Sequence, residues 1–207
     1  MHRIGLTGGI ATGKSFVLTV LTELGCCACR ADELAREILD APDFPHLDKL
    51  AEVLGPSVLD GEGRLVRPEF ARILFADPQK RHFVNSLVHP LVIAARDRKI
   101  AEARELGLYD FFVYESALLI EAGTYQDFER IVVVYAPPAV QIERLTARDG
   151  ISVEDAEKRI QAQFPLREKL KVADYAIDTA GTFEQVRGRT CEVFHLLRQE
   201  FDLAEEV

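Results

Sequence analysis

Five short apolar runs are spaced along the chain, and the stretches between them carry apolar residues at helical intervals. The runs are Arg3–Thr7, Cys26–Arg30, Phe111–Glu115, Arg130–Tyr135 and Tyr175–Ile177. Each has the length and composition of a strand. Arg130–Tyr135 contains four successive β-branched residues, Ile131 to Val134, as expected of a parallel strand buried on both faces. Between the first two runs, Val17, Leu18, Leu21 and Leu24 keep a helical period, and a last helix is predicted over Phe183–Phe201. Strands alternating with helices predict an α/β fold, a parallel five-stranded sheet with flanking helices.

Two intervals are too long for simple crossovers. About eighty residues separate the second and third runs, far more than one crossover helix needs. A helical insertion is therefore expected at about residues 40–107. Its main helix should begin at Asp77-Pro78, a capping residue followed by proline at the first helical position. It should kink or break at Pro90, resume through Arg104 and stop at Gly107. Between the fourth and fifth runs, a helix over Ala139–Arg148 ends at Asp149-Gly150. Ser152 and Asp155 then form a capping pair for the next helix. That helix carries Glu154, Glu157, Lys158, Arg159 and Gln161, polar on most faces. A helix with so few core positions sits loosely on the body, so residues of about 149–171 are expected to form a mobile lid. Residues 1–207 read as a single domain carrying these two excursions.

Composition narrows the partners. Hydrophobic residues make up 48% and charged residues 29% of the 207 residues, the balance of a soluble globular protein. The net charge of −9 argues against nucleic acid as the main partner, while leaving room for a local basic pocket that takes a small anion. No apolar run approaches the roughly 20 residues of a membrane helix, and no signal peptide fits the first residues. A cytoplasmic protein without a membrane partner is expected. Cys26 and Cys29 form one C-x-x-C. This spacing fits zinc or redox chemistry, but also a buried strand of small residues, and no second ligand pair stands at the usual spacing.

Chemistry concentrates at the end of the first strand. Gly8, Gly9, Ile10, Ala11, Thr12, Gly13, Lys14 and Ser15 fit G-x-x-x-x-G-K-[ST], between a strand and a helix as a phosphate-binding loop requires. Glycines let main-chain N–H groups approach an anion, and the helix N-terminus adds partial positive charge. Lys14 is placed to reach the β- and γ-phosphates, and the Ser15 hydroxyl to ligate Mg²⁺. ATP and Mg²⁺ are the implied cofactors, with Phe16 completing the loop's contact set.

A phosphoryl acceptor must be oriented and relieved of its proton while charge is screened. Asp32, just past the second strand, reads either as that base or as a cap on a helix over Glu33–Leu39. Arg144 and Arg148 share a helix face; they read as a clamp on the transferring phosphates or as surface arginines paired with acids. Glu115 ends an apolar run, the layout of a magnesium-holding acid. His89 stands before Pro90 in the insertion, where a lone histidine is equally a structural residue.

Together these residues resemble the dephospho-CoA kinase family over nearly the whole chain. The resemblance runs through G-L-T-G-G-I-x-x-G-K-S (Gly5 to Ser15), D-x-x-A-R (Asp32, Ala35, Arg36) and N-x-x-x-H-P (Asn85, His89, Pro90). It continues through L-L-x-E (Leu118, Leu119, Glu121) and Q-x-x-R-x-x-x-R-D (Gln141, Arg144, Arg148, Asp149), then Gln163, Lys169 and A-D-x-x-I (Ala173, Asp174, Ile177). It implies Mg²⁺-dependent phosphoryl transfer from ATP to dephospho-CoA, a small-molecule substrate. Asp32 would act at the ribose 3′-hydroxyl, and Lys14 and Arg148 on the moving phosphoryl group. Gly8 to Phe16, Arg144 and Arg148 would bind ATP. His89, Leu118 and Glu121 would bind the acceptor with Asp32. The chain departs from the family where Arg30-Ala31-Asp32 replaces D-A-D, where Ala117 replaces a proline, and where Asp178-Thr179 replaces an asparagine. Another small-molecule kinase of this fold, nucleoside or nucleotide kinase-like, is the alternative reading. Asp60-Gly61-Glu62-Gly63 formally fits the D-x-x-G of a GTPase switch, but in a turn-rich segment.

Overall fold

The structure is a computed structural model, described here for residues 1–203. Five strands, β1 (His2–Gly8), β2 (Cys27–Arg30), β3 (Phe111–Glu115), β4 (Arg130–Tyr135) and β5 (Tyr175–Asp178), pair in parallel throughout. Their order is β2-β3-β1-β4-β5. β1 is thus central, and all five strands deliver their C-terminal ends to one edge, where ligands of open α/β sheets bind. Nine helices are described: α1 (Lys14–Glu23), α2 (Ala31–Asp40), α3 (Leu47–Leu54), α4 (Arg67–Ala76), α5 (Pro78–Leu106), α6 (Pro138–Asp149), α7 (Val153–Gln161), α8 (Leu166–Leu170) and α9 (Phe183–Glu200).

The chain divides into two compact units, Met1–Arg30 with everything from Glu102 onward, and Ala31–Ala101. In the first, Ile4, Leu6, Val132 and Val134 of the central strands pack with Val17, Leu18 and Leu21 of α1 and Val193, Phe194 and Leu197 of α9. These side chains are almost wholly removed from water; full burial of each contributes about 1.5–3 kcal/mol. Gly5 sits mid-strand because a Cβ there would lie 2.7 Å from Leu119 and 2.8 Å from Ile131. Tyr114 stacks on Phe128 with ring centroids 5.6 Å apart. α9 opens with a capping box between Thr182 and Gln185. No described helix is long and apolar enough to cross a membrane.

The second unit is helical, and its buried apolar side chains include Leu34, Leu50, Leu54, Val58, Phe70, Val84 and Val88. Asp77 caps α5, its carboxylate accepting from the Gln79 and Lys80 amides at 2.9 and 3.1 Å. The break expected at Pro90 does not occur: α5 runs through it without interruption. Proline removes one N–H from a helix whose two halves are otherwise complete, and Gly107 in the left-handed region (φ 65°) follows the helix end. The Asp60 carboxylate accepts from the amides of Glu62 and Arg64 at 2.9 and 2.8 Å. That aspartate therefore closes its own turn, as D-x-x-G in a turn-rich segment should.

Ala28 is exposed whereas Cys26 and Cys29 are buried, because β2 is an edge strand rather than a fully covered one. Burial first, then the charge of nearby Asp110, pushes the Cys26 thiol up to about 12.

Candidate active site

The loop from Gly8 to Gly13 leaves the C-terminal end of β1 and enters α1. Gly8 has no alternative there: a Cβ would lie 2.1 Å from the Val134 carbonyl oxygen on β4 and 2.9 Å from Thr12 Oγ1. Gly13 is left-handed, φ 84°, and is the residue from which α1 starts, so the chain turns sharply before Lys14. The first amides of any helix lack acceptors within it, which makes this start an anion site. Ala11 also takes positive φ, 56°, a conformation few residues other than glycine adopt and one that a surrounding structure must enforce.

Side chains from other elements enforce it. Gln141 of α6, buried, donates Nε2 to the Ile10 carbonyl at 2.7 Å. The Ile10 amide donates to Gln163 Oε1 at 2.6 Å. Arg144 donates to the Ala11 carbonyl at 3.3 Å, to Thr179 Oγ1 at 3.0 Å and to the Thr179 carbonyl at 2.7 Å. Thr179 in turn donates to the Thr12 carbonyl at 2.7 Å. Thr12 donates to the Gly9 carbonyl at 2.9 Å, and the Lys14 ammonium to the same oxygen at 2.8 Å. The lysine is thereby folded over the loop that its charge would serve. Ser15 is exposed in the first turn of α1. A hard oxygen ligand at the mouth of an anion site fits Mg²⁺ arriving with phosphates. Phe16, partly buried, lies with its ring 5.0 Å from that of Phe183.

The structure thus brings Gly8 to Phe16 and Arg144 together, and adds Gln141, Gln163 and Thr179. The sequence reading gave these three no task. Two stand in the motifs that carry the family resemblance. Thr179 follows β5 at the sheet edge that holds the loop, and position alone marks it. Arg148 is elsewhere engaged: it is largely exposed and donates to Asp149 at 2.7 and 3.1 Å. Arg159 also reaches Asp149, at 2.8 Å. The hydrogen bond from Arg148, with help from Arg159, holds the Asp149 carboxyl below the usual carboxylate range. Ser152 Oγ accepts from the Asp155 amide at 3.1 Å, the capping pair expected at the start of α7.

After β3 the chain turns at residues 116–123. There Leu119 is buried and Leu118 exposed, while Glu121 lies 2.9 Å from the ammonium of buried Lys169. Glu115 ends β3 opposite Arg30 of β2, its carboxylate 3.7 Å from the guanidinium. The departure at Arg30 therefore sets a cation beside the acid that ends the neighbouring strand. Asp32 and His89 belong to the helical unit. Asp32 is the second residue of α2, which begins at Ala31. It therefore lies inside the first turn, two positions further into the helix than the cap reading required, because α2 starts two residues earlier than Glu33. His89 lies within α5, next to Pro90.

A parallel sheet with a glycine loop between its central strand and a helix, and with lysine, arginine and hydroxyl groups converging on that loop, defines a P-loop phosphotransferase. Solved structures share this fold. The Thermus thermophilus protein TT1252 aligns over 95% of this chain and 97% of its own, with TM-score 0.75 and 29% identity. A dephospho-CoA kinase from Campylobacter jejuni covers the same shares at TM-score 0.63 and 24% identity. The profile of the dephospho-CoA kinase family matches residues 2–185. The dephospho-CoA kinase of Carboxydothermus hydrogenoformans is 41% identical over 184 residues, 89% of this chain and 88% of that one. The chain belongs to the dephospho-CoA kinase family and is a kinase, with ATP as its implied phosphoryl donor.

Proposed function

We propose that the protein transfers the γ-phosphoryl group of ATP to the ribose 3′-hydroxyl of dephospho-CoA, giving coenzyme A and ADP in the last step of coenzyme A biosynthesis, in the cytoplasm. The observation that carries this reading is the loop on β1, fastened by Gln141, Arg144, Gln163 and Thr179, in a chain of this family. Phosphoryl transfer asks the protein mainly for positioning and charge stabilisation. A loop whose backbone is held by four side chains is arranged before the substrate arrives, so little reorganisation is left for the reaction itself.

In this reading the loop amides and Lys14 hold the phosphates, and the Ser15 hydroxyl is the protein's ligand to Mg²⁺, which screens phosphate charge when bound. Asp32 orients the 3′-hydroxyl and accepts its proton as the new O–P bond forms and the bond to ADP breaks. Arg144 stays with the loop and the nucleotide. Arg148 moves from Asp149 to the transferring group when the segment of about 149–171 closes as a lid. His89, Leu118 and Glu121 bind the rest of the acceptor. The motifs shared with the family support these roles.

A panel of acceptors tests the proposal. ADP release measured with dephospho-CoA, nucleosides, nucleoside monophosphates and no acceptor should rise at least about 100-fold only with dephospho-CoA. Equal or greater turnover with a nucleoside or nucleotide would assign the other small-molecule kinase reading instead.

A further inference from the structure

Lys169 is a charged side chain only 2% exposed, and the transfer chemistry above leaves it without a task. Its ammonium donates to the Ala117 carbonyl at 2.5 Å and lies 2.9 Å from Glu121 Oε1. Both partners belong to the turn that follows β3. Six residues earlier, Gln163 accepts the Ile10 amide of the phosphate loop at 2.6 Å. The segment between these two anchors is stiff. Pro165 restricts one backbone angle, and Leu166–Leu170 forms α8, with the Lys169 amide bonded back to the Pro165 carbonyl. One short strap therefore spans the sheet edge, with one end on the loop after β1 and the other on the turn after β3.

An apolar side chain of similar volume is often as stabilising as a buried ion pair, because desolvating an ammonium costs several kcal/mol. Stability alone therefore gives little reason for a lysine here. Direction does: an ammonium held between one carbonyl and one carboxylate fixes where the turn sits, and an apolar contact fixes it less sharply.

We propose that Lys169 and Glu121 form a latch that holds the turn after β3 at a set distance from the phosphate loop, through the strap to Gln163. Lys169 is a positioning residue, acting through Glu121 and the turn that carries it. The inference rests on the proposed kinase reading for its catalytic consequence, because that reading puts part of the acceptor on the turn and the nucleotide on the loop. Breaking the latch lets the two substrates drift relative to each other, and misplacement on the scale of an ångström slows transfer by about 100-fold.

The test compares Lys169→Met, which keeps most of the side-chain volume, and Glu121→Gln with the unmodified protein. In both variants kcat should fall at least about tenfold while the affinity for MgATP, by calorimetry, stays within about twofold. Independently of any acceptor, hydrogen exchange at the Ile10 amide should accelerate at least about tenfold, because the Gln163 anchor loosens. An unchanged Ile10 exchange rate, or a kcat within about threefold of the parent, overturns the latch. If Lys169→Met does not fold, Ile10 exchange in Glu121→Gln decides alone, because loss of a Glu121 contact to the acceptor would also lower kcat. If the unmodified protein shows no dephospho-CoA-dependent turnover, the kinase reading fails, and Ile10 exchange still decides whether the strap transmits the break.

Discussion

Single residues carry most of the chemistry, and each has a distinct signature. Lys14→Ala removes the only loop side chain with a full positive charge. The expected loss in kcat is about 10³-fold, on the scale of other preorganised charge contacts, checked by steady-state ADP formation. Asp32→Asn should lower kcat by about 10²–10⁴-fold with the KM for ATP nearly unchanged, the pattern of a group that acts on the acceptor proton. A raised KM for ATP at normal kcat would make Asp32 a binding residue. Gly8→Ala meets a backbone oxygen 2.1 Å from the new Cβ. A strand carbonyl cannot step aside as a flexible side chain can. Destabilisation of about 1–3 kcal/mol is expected from the overpacking, read as a lowered melting temperature together with lost nucleotide binding.

Elements explain which of these residues meet. Strand positions were legible because buried parallel strands leave continuous apolar runs: β3 and β4 fall where the runs place them, β2 and β5 differ by a residue at one end, and β1 is a residue longer at each end. The glycine loop was legible because its backbone geometry restricts residue type. Its fastenings were not, because Gln141, Gln163 and Thr179 act through side-chain contacts with residues more than a hundred positions away, and no local pattern encodes such a meeting. Pro90 does not end α5, although proline's local penalty predicts a kink or a break there, because the helix is continuous on both sides of it. Thr179→Val tests the fastening of the loop. It removes one hydroxyl that joins Thr12 and Arg144, a change worth about 1 kcal/mol. The KM for ATP should rise about fivefold to tenfold with kcat little altered. No change in KM would mean that the loop holds its form without the Thr179 hydroxyl, on its remaining bonds to Gln141, Arg144 and Gln163.

At the scale of the whole molecule, the packed sheet sets how the protein responds to pH. Cys26 lies in the core with its thiol pushed up to about 12 by burial, against 9.0 unperturbed. Below pH 9 the thiol is protonated whether the chain is folded or not, and this contribution to stability is intact. Above it the unfolded chain releases the proton that the folded chain keeps, so stability declines towards pH 12, by at most about 1.4 kcal/mol per pH unit. Unfolding midpoints in denaturant, measured from pH 8 to 11, should fall more steeply for the parent than for Cys26→Val. Parallel slopes would show that Cys26 does not titrate on unfolding.

Phosphorus NMR of the product formed from MgATP and dephospho-CoA reads the site of transfer itself. One new phosphate monoester is expected, on the ribose 3′ oxygen, formed in step with one ADP for each acceptor consumed. ADP that accumulates while dephospho-CoA is left unmodified, or a phosphate placed on any other oxygen, would contradict transfer to that hydroxyl.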